Sequence, residues 1–147
     1  MVEIYTIGFT KKGAEEFFAL LDEAKIDRLV DTRLRNRSQL AGFAKRDDLI
    51  YFLDEIAGVE YKHKKALAPT KELLDDWRDD SINWQQYEDR FFSLMEQREV
   101  EKELKKEYFD DKTVLLCSEH DPSYCHRRLV IEYLDNEWDD VEAIHLM

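Results

Sequence analysis

Glycine, proline and cysteine are all scarce in this chain: four, two and two in 147 residues. That scarcity leaves little material for a linker, a turn-punctuated repeat or a low-complexity segment, so each glycine and proline is expected to have a positional job. Two cysteines cannot build the disulfide framework of a small secreted domain; they fit a cytoplasmic protein with functional or incidental thiols. No apolar run approaches the roughly 18 residues of a membrane span, so no membrane partner is expected. The opening Val2-Glu-Ile-Tyr-Thr-Ile-Gly8 has no signal or transit character.

Positive charge is also short. Lys and Arg number 22 against 34 Asp and Glu, a net charge of −12. Such a surface repels phosphate chains on average and disfavours long nucleic acid as a partner. The acid of the tail (Asp135, Glu137, Asp139, Asp140, Glu142) reads as solvated surface that confers solubility. A local basic patch survives at Arg33, Arg35, Arg37, Lys45 and Arg46, with Lys62, Lys64 and Lys65 further on. A small anionic ligand therefore stays open.

What is present suffices for a core. Hydrophobic residues make up 44% of the chain, which excludes disorder, and the length suits one domain spanning 1–147. Short β-prone runs alternate with helical periodicity. Strands are expected at Ile4–Ile7, Leu29–Val30 ending on Asp31, Val59–His63, Thr113–Cys117 and Val141–Leu146. Helices are expected at Ala14–Ala24, at Asp47–Ala57 with Gly58 as C-cap, at Thr70–Arg78 with Pro69 suited to its first turn, from Asn83 to about Glu107, and from about Pro122 to Asn136. This alternation predicts a three-layer α/β domain: a mostly parallel sheet of about five strands with helices on both faces.

In open parallel sheets ligands sit outside the carboxyl ends of the strands. Those ends carry Gly8-Phe9-Thr10, Asp31-Thr-Arg33, His63 and Cys117-Ser-Glu119. Beyond the last lies the densest cluster of chemistry in the chain, Cys117-Ser-Glu119-His-Asp-Pro122-Ser-Tyr-Cys125-His126-Arg127-Arg128, which holds both cysteines and two of the four histidines. Each residue also has a bland role. Gly8 can simply turn the chain, Asp31 and Arg33 can form a structural pair, and Cys117 can act as a small hydrophobe closing a buried strand. Asp121 or Ser123 suits the N-cap of the next helix. Cys125 is different: at a helix start, beside cationic groups, its thiolate would be favoured.

These residues carry a resemblance. Tyr5-Thr-Ile-Gly8, Leu29-Val-Asp31-Thr-Arg33, Tyr61-Lys-His63 and above all the Cys-x-Glu-x-x-Pro-x-x-Cys-His-Arg signature from Cys117 to Arg127 resemble the family labelled domain of unknown function 488, over essentially the whole chain. That family has no established activity, so the resemblance implies relatives and a location rather than a reaction. Its members often have His after the opening glycine, where this chain has Phe9. A weaker resemblance is to rhodaneses, through the strand-end Asp31-Thr-Arg33 and the strand delivering Cys117. It implies a persulfide on Cys117, but Glu119 and Asp121 would repel an anion there.

Three readings follow. In the favoured one the protein is a thiol- or anion-handling enzyme for a small molecule, with Cys125 or Cys117 as the reactive group, Glu119 beside them and His126 or His63 carrying a proton. Arg33 and Arg127 form the anion clamp, and Gly8 and Asp31 line the same rim. No cofactor is implied. The second is a zinc-type site of Cys117, Cys125, His126 and His63, although the Cys-x7-Cys spacing is unusual. Its redox variant, a reversible Cys117–Cys125 disulfide, requires Cα atoms within about 7 Å. The third is a non-catalytic binding or structural module in which Glu119 and Arg127 pair to hold the corner. Oligomeric state is not encoded in any of these features.

Overall fold

A computed structural model describes residues 2–34, 42–117 and 125–147. Five strands, β1 (Val2–Gly8), β2 (Arg28–Asp31), β3 (Glu60–His63), β4 (Thr113–Cys117) and β5 (Val141–Leu146), form one sheet in the order β3-β2-β4-β1-β5. Every pairing is parallel. The expected α/β architecture with helices on both faces is therefore correct, and the sheet is wholly rather than mostly parallel.

Because side chains alternate along a strand, each strand feeds two cores. On one face Ile7, Leu29, Val114 and Leu116 pack against Phe17, Phe18 and Leu21 of α1 (Ala14–Glu23) and Leu49 of α2 (Arg46–Phe52). On the other, Ile4, Val30 and Leu115 meet Leu73 of α3 (Lys71–Arg78), Tyr87, Phe91 and Met95 of α4 (Trp84–Arg98), and Leu129 and Val130 of α6 (His126–Trp138). β4 is buried along its whole length, as the middle strand of a two-faced sheet must be.

Three helix ends follow their local chemistry closely. Asn83 and Gln86 form a reciprocal capping box, each side chain accepting the other's backbone N–H at 2.8 Å. Thr70 caps α3 by accepting Leu73 N–H at 3.1 Å. After α2 the chain widens into a π-type turn, Leu53–Ala57, and stops at Gly58, whose φ of 62° is the left-handed geometry expected of a C-cap glycine.

The long helix expected from Asn83 to about Glu107 is interrupted. Glu99 adopts φ 51°, ending α4, and a short α5 (Val100–Glu103) follows. No glycine or proline marks the break. Burial of Val100, Leu104 and Phe109 in the core outweighs the helical periodicity. The final helix begins at His126, with Cys125 at its N-cap position; Asp121 and Ser123, the expected caps, lie outside the described residues.

A strained link joins α6 to β5. Asp139 has φ 56° and ψ 150°, a region essentially reserved for glycine. Replacing Asp139 with glycine is expected to raise stability by about 1 kcal/mol, relief of strain exceeding the entropy cost of glycine. Urea denaturation reads this directly; an unchanged or lower midpoint would contradict it.

Candidate functional site

Chain direction locates the crevice. From β1 the chain passes through α1 to β2 and on toward the β3 edge, on one face of the sheet. From β4 it passes through α6 to β5 at the opposite edge, on the other face. The adjacent strands β1 and β4 are thus where connections diverge, the switch point that opens a cleft in parallel sheets. Gly8 and Cys117 face each other there in register. Along the same rim Asp31 lies opposite Leu116 on one side and His63 on the other.

Asp31 and Arg33 form the rim's most ordered unit. Arg33 donates from Nε and Nη2 to the two carboxylate oxygens, each at 2.8 Å, and from its backbone N–H at 3.1 Å. Tyr61 donates its hydroxyl to Asp31 Oδ2 at 2.6 Å. Burial pushes the Asp31 carboxyl up, but Arg33 and Tyr61 together hold it below its ordinary value. A carboxylate so occupied positions its neighbours rather than taking protons. His63 donates from Nε2 to the Arg33 carbonyl at 2.7 Å, and Arg33 lies over the Phe9 ring at 5.4 Å. The guanidinium is 3% exposed, and its remaining group, Nη1, has no hydrogen-bond partner among the described residues.

His126 ties the start of α6 to the end of β2. Its Nε2–H points at the Thr32 carbonyl, 2.8 Å away, and is shared with Thr32 Oγ1 at 3.0 Å, which itself donates to the Leu116 carbonyl at 2.8 Å. Phe91 packs on the ring at 5.6 Å between centroids. Although the residue retains some accessible surface, the ring is closely surrounded, and burial lowers its pKa to about 4. It is neutral at pH 7.

Cys117 and Cys125 are joined through their sulfurs across the stretch that links β4 to α6. Their Cα atoms are 7.4 Å apart, slightly beyond the roughly 7 Å set for the redox variant. Cys117 is 1% exposed and Arg127 is fully buried, with Arg127 Nη1 donating to Cys117 Sγ at 3.3 Å. Glu119 lies outside the described residues, as do Arg35, Arg37 and Tyr124. Among the described residues no three His, Cys, Asp or Glu side chains converge as a metal-holding group.

Sequence reasoning missed Lys12 and His145, and it missed the contacts of Thr32 and Tyr61. Lys12, 7% exposed, has its pKa lowered first by burial and then by Arg127. It sits in the turn after β1, which reads simply as a helix entry. His145 hydrogen-bonds Thr6 from β5, and burial and then Arg127 lower its pKa. Extending the strand-end rule to the fifth strand would have found it. Thr32 and Tyr61 gain their roles through contacts to His126 and Asp31 that lie far away in the chain.

A family model described as domain of unknown function DUF488 matches residues 13–134. The chain belongs to that family. The match includes β2, β3, β4 and most of α6, hence Asp31, Arg33, His63, Cys117, Cys125, His126 and Arg127. No curated protein and no solved structure matches the chain. The weaker likeness to rhodaneses is not borne out: the DUF488 assignment accounts for the shared strand ends, and Cys117, which would carry the persulfide, is bonded to Cys125 and buried.

Proposed function

We propose that this DUF488 protein is a small cytoplasmic thiol- or anion-handling enzyme that binds a small anionic molecule at the carboxyl-end rim, beside β1 and β4. The observation that carries the reading is Arg33 Nη1. A buried guanidinium donor without a partner among the described residues is costly, and it is explained if a ligand oxygen completes it. Asp31 fixes the other side of the same guanidinium, so the open donor is held ready rather than free to swing away. The position at a topological switch point supports the same reading.

Inorganic sulfate is the probe. Calorimetric titration of the wild type should detect binding, and Arg33→Gln should weaken it roughly 10- to 100-fold, the value of one charge-assisted hydrogen bond. Arg33→Lys controls for folding: it keeps the charge, loses the fork and should bind with intermediate affinity. No binding by the wild type, or equal binding by all three folded proteins, would sink the reading.

A binding module without chemistry is the second reading. The saturated Asp31 and the joined sulfurs favour it, because no free thiol remains among the described residues.

A further inference from the structure

The Arg33 donor lies among aromatic side chains. Alternation along the strands puts Asp31, like Leu29, and Phe9, like Ile7, on the face covered by α1 and α2. There Arg33 Cζ lies over the Phe9 ring, 5.4 Å from its centroid. Phe43 meets Phe9 edge-on at 6.5 Å and packs in turn on Phe17 at 5.2 Å. Phe9 is 5% exposed, whereas Phe43 and Tyr61 are only partly buried, so the aromatic surface runs from the core toward the rim.

Charge narrows the ligand further. Asp31 occupies Nε and Nη2 of Arg33, so the pair as a unit carries no net charge. Tyr61 donates to the same carboxylate and helps to hold it in place. A ligand oxygen at Nη1 therefore meets a good donor with a fixed negative charge behind it. A second charge on that ligand adds repulsion from Asp31 and a further desolvation cost.

A single charge on an apolar body avoids both penalties. A hydrogen bond to Nη1 lies one bond from the Cζ that Phe9 covers, which brings the body of a bound carboxylate to these rings. We propose that the ligand of this rim is an aromatic monocarboxylate, its carboxylate on Arg33 Nη1 and its ring against Phe9 and Phe43. This rests on the anion reading above and names the class of molecule that fills it. Arg33 supplies the polar anchor, and the two phenylalanines set the preference for a ring.

Benzoate, acetate and sulfate separate these contributions in calorimetric titrations at pH 7 and one ionic strength. The wild type should bind benzoate at least roughly tenfold more tightly than acetate, the gain from burying the ring, and more tightly than sulfate. Arg33→Gln should weaken benzoate roughly 10- to 100-fold, which ties that gain to this site. Phe43→Ala should shrink the benzoate-to-acetate ratio at least about threefold, the value of one aromatic pair. Phe43→Leu keeps the core filled if the alanine variant unfolds, and should shrink the ratio in the same direction.

Equal affinity for benzoate and acetate, tighter binding of sulfate than of benzoate, or a ratio unmoved by the folded Phe43 variants overturns the inference alone, because Arg33-dependent sulfate binding would still support the anion reading. Benzoate binding that Arg33→Gln leaves intact also overturns it. No binding of any of the three anions overturns the anion reading together with it.

Discussion

Asp31→Ala is expected to lower unfolding free energy by about 3–5 kcal/mol, the cost of leaving a buried charge without its partner. Arg33 would lose both carboxylate bonds while remaining buried, and Tyr61 would lose its acceptor. The double variant Asp31→Ala/Arg33→Met should recover most of that loss, since removing both charges strands neither. Urea denaturation of the two variants and the wild type settles the matter. If the double variant is as unstable as the single one, packing around Asp31 rather than the unpaired guanidinium sets the cost. Tyr61→Phe should cost only about 1 kcal/mol, because Asp31 retains its bonds to Arg33.

Acidification should destabilise the protein between about pH 6.5 and 4 through His126. The unfolded imidazole takes up a proton near its ordinary value of 6.5, whereas the folded one resists until about 4. In that window the unfolded state binds more protons, so stability falls as pH falls; above it the ring is neutral in both states and contributes no slope. The loss reaches at most about 3 kcal/mol, from the size of the shift. His126→Gln should be less stable than the wild type at pH 8, with the amide replacing the ring only in part, and should lack this slice of pH dependence. Parallel pH–stability curves for the two proteins would show that His126 charges without penalty. At still lower pH Asp31 adds a second loss, since a carboxylate held below its ordinary value by Arg33 stabilises the fold only while ionised.

Both effects come from residues that the sequence singled out, Asp31 at a strand end and His126 in the Cys117–Arg127 signature, yet the roles differ from those their types suggested. A carboxylate and an imidazole at one rim invited acid–base chemistry. In the fold Asp31 accepts hydrogen bonds from Arg33 and Tyr61 and His126 donates to Thr32, which makes them supports for Arg33 and for the start of α6.

Local patterning determined a good deal by itself. Alternation and helical spacing placed β4 and β5 to the residue, because short apolar runs bounded by polar turns have one buried solution. The caps at Asn83 and Gly58 were legible for the same reason: capping is a contact between near neighbours in the chain. The Cys117–Arg127 signature named the family and the corner.

Tertiary structure decided the rest. The break at Glu99, the order β3-β2-β4-β1-β5 and the meeting of Gly8 with Cys117 depend on packing between distant segments, which carries no local period. So do the pairing of Tyr61 with Asp31 and the choice of Cys117 as the sulfur that Arg127 touches. A sequence states which groups are available at a rim, but the partner of each is set by which strands lie side by side, and hydrogen bonds reach only to atoms in contact.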